Sequence, residues 1–194
     1  MKSKKHLILQ KATDIASQVG FEALSIGHLA DQVGMSKSGL FAHFKSKANL
    51  QIEALGLVES RFQVEVMSAV VAEPRGVARL MRMAICWYEW TQSAYLGGCP
   101  MLSGLMEYDD QPGPVRDKLK SMMIQMFHSI ELMACQAQEE GELSVDLDVS
   151  QFRFEFVSLM LGAHVGLRMM QEQRTQKQFV DGIIMLIDRY RNSG

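Results

Sequence analysis

Cysteine is scarce in this 194-residue chain: Cys86, Cys99 and Cys135 stand far apart with no CxxC pair. An odd, widely spaced set excludes a disulfide framework and a cysteine-ligated zinc site. They read as small buried hydrophobes, with a redox-sensing thiol as the alternative. Long apolar runs are missing as well. The longest, such as Val157 to Leu161, fall well short of the roughly 18 residues of a membrane span. The basic start, Met1-Lys2-Ser3-Lys4-Lys5-His6, is followed by only Leu7-Ile8-Leu9 before Gln10 and Lys11, so no signal-type core forms. A cytoplasmic protein without a membrane partner is the expectation. Sustained period-2 alternation between hairpin turns is lacking, which argues against a sheet. GxSxG, HExxH, P-loop and Cys/His patterns are absent. No catalytic residue, metal or cofactor is therefore expected, and the apparent carboxylate pair Asp109-Asp110 sits in a Pro/Gly loop.

Net charge is also small, −2, but it is unevenly spread. Residues 1 to 50 hold seven lysines, no arginine and three acids, a charge of +4. The other 144 residues hold 13 basic and 19 acidic groups, −6. A basic head on an acidic body suits a protein that presents one end to phosphates.

What is present is helix. Apolar spacing predicts helix 1 from about Ser3 to Val19, with Gly20 as a left-handed cap. A helix from near Ser46 to about Val71 ends before Glu73-Pro74 and is long enough to bridge two domains. Further helices are predicted over 77–94, 101–108 and 115–139, with Asp109 to Pro114 the clearest loop. Two late helices, 149–170 and 176–190, open with Asp148/Gln151 and Thr175/Gln178 in capping-box spacing. The fold class is all-α: a three-helix head over residues 1–48, then a helical regulatory and dimerisation body over 49–194.

Residues 25 to 50 carry the strongest functional signal. Ser25 is a good N-cap for a helix whose inner face is Ile26, Leu29, Ala30 and Val33. Gly34 permits the positive φ of a tight turn, Met35 plugs the small core, and Ser36 caps the next helix, Lys37 to Phe44. There Leu40 and Phe44 face inward, leaving Lys37, Ser38, Phe41, Ala42 and His43 outward. Lysine reaches guanine or phosphate, serine reads either kind of base edge, and Phe41 or Ala42 touches a thymine methyl. Gly39 costs roughly 1 kcal/mol against alanine in a helix, tolerable where backbone presses against a groove. Lys45 and Lys47 flank the next helix start, where the dipole and the ammonium both favour phosphate. This is the layout of a helix-turn-helix DNA reader. Its candidate DNA-binding residues are Ser25, Ser36, Lys37, Ser38, Gly39, Phe41, His43 and Lys47.

Gly20, Ser25, Leu29-Ala30, Val33-Gly34-Met35-Ser36, Gly39-Leu40-Phe41, His43-Phe44, Lys47 and Leu50 together resemble the N-terminal signature of the TetR family of bacterial transcriptional regulators, over about residues 5 to 50. Ser25 stands where threonine is usual, Val33 where alanine is, and Phe41 where tyrosine is, so Phe41 lacks a hydroxyl that in the family often reaches a phosphate. More weakly, Gly98-Cys99-Pro100 and Glu107 to Arg116 are similar to a motif of one branch of the family. The resemblance implies a helical body that dimerises and holds a ligand pocket.

The residues of the body agree with that implication. Phe152, Phe156, Met160, Ala163 and Leu167, with Phe179, Ile183, Leu186 and Ile187, form wide apolar stripes on the last two helices, and Gly162 and Gly166 allow close crossing. Two such helices from each of two chains would form a four-helix homodimer interface; the alternative is the core of a monomer. Fifteen methionines are many for this length. Met83, Met101, Met122 and Met126, with Trp87, Trp90 and Phe127, are candidates for an adaptable pocket, with His128 and His164 as polar anchors. Methionine at helical spacing equally suits plain core. The expected function is a homodimeric, ligand-responsive repressor of a palindromic double-stranded DNA operator, released by a small apolar or aromatic effector. A DNA-binding activator or a cysteine-based redox regulator is the alternative.

Overall fold

The computed structural model describes residues 3–191; Lys2, counted above in the basic head, lies outside them. Among the described residues ten α-helices follow in order: α1 Lys4–Val19, α2 Ile26–Val33, α3 Lys37–Phe44, α4 Lys47–Phe62, α5 Ser68–Ala72, α6 Val77–Ser93, α7 Pro100–Glu107, α8 Pro114–Glu139, α9 Val149–Arg168 and α10 Thr175–Arg189. A π-helical turn, Gln63–Met67, separates α4 from α5, so the predicted long helix is present but locally unwound. No strand occurs among the described residues; a single bridge joins Leu143 and Arg191. No described helix is long and apolar enough to cross a membrane.

The chain forms two compact units. One comprises residues up to Phe62 together with Ser93–Met123; the other comprises Gln63–Gln92 and the residues from Ile124 onward. The head of residues 1–48 thus lies in the first unit with α4 and α7. Its core is Ile8, Ala12, Phe21, Leu24, Leu29, Ala30, Leu40, Phe44, Leu50 and Leu55, all buried. At the turn after α6, Gly97 donates its amide to the Ser17 hydroxyl at 3.2 Å. A Cβ on Gly97 would overlap the Ser17 carbonyl, so only glycine fits there. The core of the second unit is built from α6, α8, α9 and α10. Phe179 lies against Trp87 and Tyr88, with ring centroids 5.5 and 5.7 Å away.

Helix ends follow the local chemistry, with two departures. Ser3, Ser25 and Ser36 cap α1, α2 and α3, and Asp148 caps α9 by accepting from the Ser150 and Gln151 amides. Gly34 adopts the left-handed conformation, φ 64 and ψ 35. Gly20, expected to do the same, has positive φ but an extended ψ of 162, because the chain turns sharply out of α1. Thr175 is not a cap. It is the first residue inside α10, preceded by Arg174, and its hydroxyl is buried against Gly166 instead.

Candidate nucleic-acid interface

The α2–turn–α3 segment is assembled as its spacing predicts. Ser25 Oγ accepts from the His28 amide at 3.1 Å, and Ser36 Oγ accepts from the Gly39 amide at 3.1 Å. Leu40 and Phe44 are buried, which turns Lys37, Ser38, Phe41, Ala42 and His43 to solvent. Phe41 is 54% exposed, high for a phenylalanine and consistent with a contact surface. Gly39 has a local reason that its sequence position does not reveal: a Cβ there would lie 3.0 Å from Ser36 Oγ and crowd the cap. Lys37 folds its aliphatic stem over Gly27, where a Cβ would come within 3.3 Å of Lys37 Cε. Lys45 ends α3 at φ 64, an uncommon conformation for a side-chain-bearing residue.

Lys47 is placed differently from the expectation of a free phosphate ligand. Its ammonium bonds Glu22 Oε1 at 2.7 Å. Glu22 is also held from α7's end, where the Tyr108 hydroxyl donates to Glu22 Oε2 at 2.9 Å. Gln51, on α4, donates to that Tyr108 oxygen at 3.0 Å and to the Phe21 carbonyl at 2.6 Å. Glu107 completes the cluster: its carboxylate accepts from the amides of Phe21 at 2.7 Å and Glu22 at 2.8 Å. A five-residue polar clamp thus joins α7 and α4 to the α1–α2 turn. Lys47 and Tyr108 together hold the Glu22 carboxyl below its ordinary pKa, and burial, then the bond to Glu22, pushes the Tyr108 phenol up. Sequence reasoning missed the clamp. Glu22 and Gln51 carry no local signal, and the motif beginning at Glu107 attracted notice without a role.

Eight of the nine residues expected at the dimer surface are withdrawn from it. Phe152, Phe156, Met160, Ala163, Phe179, Ile183, Leu186 and Ile187 are buried within their own unit, and Leu167 is half-buried. The more apolar stripe of each helix is taken by the unit's own core. A second stripe faces out: Phe154, Val165, Met169 and Met185 are 50–79% exposed. Between α9 and α10 this face holds two shallow cavities of about 220 and 400 Å³, over Gly162 and Gly182 respectively.

The expected pocket residues divide between the units. Met101 and Met122 are buried in the first; Met83, Trp87, Trp90 and Met126 are buried in the second. Phe127 is half-buried beneath the Arg153 guanidinium, 4.5 Å from the ring centroid. His128 is exposed, so it cannot anchor a ligand inside a cavity. His164 is half-buried; its Nδ1 is enclosed without a hydrogen-bond partner among the described residues, and burial holds its pKa below the usual value. No cluster of three or more His, Cys, Asp or Glu among the described residues has metal-binding geometry.

Two family descriptions match the chain: "Bacterial regulatory proteins, tetR family" over residues 8–54 and "Tetracyclin repressor-like, C-terminal domain" over 76–183. The HTH-type transcriptional repressor ComR of Escherichia coli K12 is 25% identical over 158 residues, 79% of this chain and 73% of ComR. A TetR transcriptional regulator from Chloroflexus aurantiacus has the same fold, with a TM-score of 0.88 at 16% identity over 96% of this chain and 95% of its own. So does AibR, crystallised with isovaleryl coenzyme A and operator DNA: 0.75 at 22% identity over 95% and 98%. The chain therefore belongs to the TetR family of bacterial transcriptional regulators, ligand-responsive DNA-binding proteins rather than enzymes.

Proposed function

We propose that the protein is a homodimeric repressor. Its two α3 helices enter successive major grooves of a palindromic operator, and a small apolar or aromatic molecule releases it. Residues 1–48 form the DNA-reading module and 49–194 the regulatory and dimerising body. The observation that carries the reading is the sidedness of α3, with Leu40 and Phe44 committed to the core while Lys37, Ser38, Phe41 and His43 face solvent. Ser25, Ser36 and Gly39 shape that face, and Lys47 supplies a phosphate contact once Glu22 yields it. ComR, a transcriptional repressor 25% identical to this chain, supports repression. Burial pushes the Cys86 thiol up and Cys99 is buried, which disfavours oxidation at either; Cys135 is half-buried.

The exposed stripe of α9 and α10 supplies the dimer surface, since a reader of this size needs two half-sites about one helical turn apart or a multiple. Selection from random duplex DNA tests the reading. An inverted repeat should emerge, and Lys37→Ala should weaken its binding roughly tenfold or more if the lysine reads guanine. Recovery of no preferred sequence would overturn it.

A further inference from the structure

The first unit carries a shallow cavity of about 270 Å³ at the corner between the end of α7 and the start of α8. Leu105, Leu119 and Met123 line it with apolar surface, and Arg116 and Lys120 stand at its rim one turn apart on α8. Neither cation has an ion-pair partner among the described residues, whereas Lys118, on another face of the same helix, is tied to Glu59 at 2.6 Å. The one acidic lining residue, Asp109, accepts from the Asp110 amide at 2.9 Å and is exposed. Two uncommitted cations beside an apolar floor complement a molecule with an anionic head and an apolar tail. The volume lies just below the range of about 300–1,000 Å³ typical of drug-sized sites, so the molecule is small.

We infer that this corner is an effector site for a small carboxylic acid of medium chain length, with the carboxylate between Arg116 and Lys120 and the tail on Leu105, Leu119 and Met123. The site also has a route to the operator. Tyr108 lines the cavity on one side and holds Glu22 on the other, and Glu107 beside it grips the α1–α2 turn. A tail that displaced Leu105 and Tyr108 would shift the clamp and with it the head, provided that occupied and empty states differ in operator affinity. This inference rests on the regulator reading given above and refines its effector from an apolar molecule to one with an apolar tail and an anionic head.

Octanoate serves as the probe, with octanol as its uncharged counterpart, both titrated calorimetrically into the full-length protein. Octanoate should bind saturably, one per chain, and octanol at least tenfold more weakly, because the charged head meets charged donors. The double variant Arg116→Ala/Lys120→Ala, altered only at exposed positions, should lose at least tenfold in octanoate affinity. Leu105→Trp should block binding by filling the cavity with both cations intact. Equal binding of octanol, or unchanged octanoate binding by either variant, would overturn the site. Operator binding is measured separately, with the selected inverted repeat. Octanoate should weaken it in the parent protein and not in the double variant. Absence of any operator binding would overturn the regulator reading, while the calorimetric result would still decide the site.

Discussion

Removing the Glu107 carboxylate tests the clamp most directly. Two backbone amides, those of Phe21 and Glu22, donate to its two oxygens at 2.7 and 2.8 Å. Hydrogen bonds to a charged group contribute about 1.5–3 kcal/mol each. Phe21 is fully buried, so in Glu107→Ala its amide loses its acceptor and recovers less than that of Glu22, which is solvated. The net destabilisation is then about 2–3 kcal/mol. A domain of 150–250 residues loses about 2–4 °C in Tm per kcal/mol, so the melting transition should fall by roughly 5–10 °C. Differential scanning fluorimetry reads this without assuming that both units melt together. Glu139→Ala is the matched control. That carboxylate pairs with Arg75 across two half-exposed side chains, an arrangement worth less than about 1 kcal/mol. If the two variants melted together, the clamp would be no more than a surface ion pair.

Glu22→Gln should bind the selected operator about two- to fivefold more tightly, because a carboxylate that competes with phosphate for Lys47 is gone; gel-shift titration showing weaker binding would contradict the competition. The same substitution has a pH signature. Glu22's folded pKa lies below its ordinary 4.5, so its contribution is fully present above that value and is lost as pH falls through the folded one. The parent should therefore lose more stability than Glu22→Gln below about pH 4.5, read as Tm against pH. Met185→Asp, on the exposed side of α10, should convert the proposed dimer to monomers by light scattering; Ile183→Asp, in the core, should instead prevent folding. Phe152→Ala, fully buried, should cost about 3–5 kcal/mol, seen as a lowered Tm.

Residues differ in how far their roles could be read from the chain alone. Ser25, Gly34, Ser36, Leu40 and Phe44 act within one or two helical turns, where caps, positive φ and periodicity leave direct traces. The apolar period of α9 and α10 was equally plain, but not its phase. α9 carries two apolar stripes and α10 an exposed Met185 beside its buried one, and the choice of which side the core takes depends on α6 and α8, distant in sequence. Thr175 misled for a related reason: its spacing to Gln178 fits a cap, yet the helix begins one residue early and its hydroxyl is packed against Gly166. The clamp was illegible because each member is an ordinary polar residue whose partner lies up to 86 positions away.

The contact of Gly97 with the Ser17 carbonyl bears on how variation in this protein is interpreted. A screen for loss of DNA binding would mark position 97 as intolerant of every side chain, and it would score beside α3 although its fault lies in packing against Ser17. Abundance separates the two kinds of site. Variants at Gly97 deplete the folded protein itself, whereas variants on the outer face of α3 leave its amount unchanged and silence it on DNA. The pairing also ties the last turn of α1 to the turn at residue 97, so a change in the length of that turn would pull the two backbones apart.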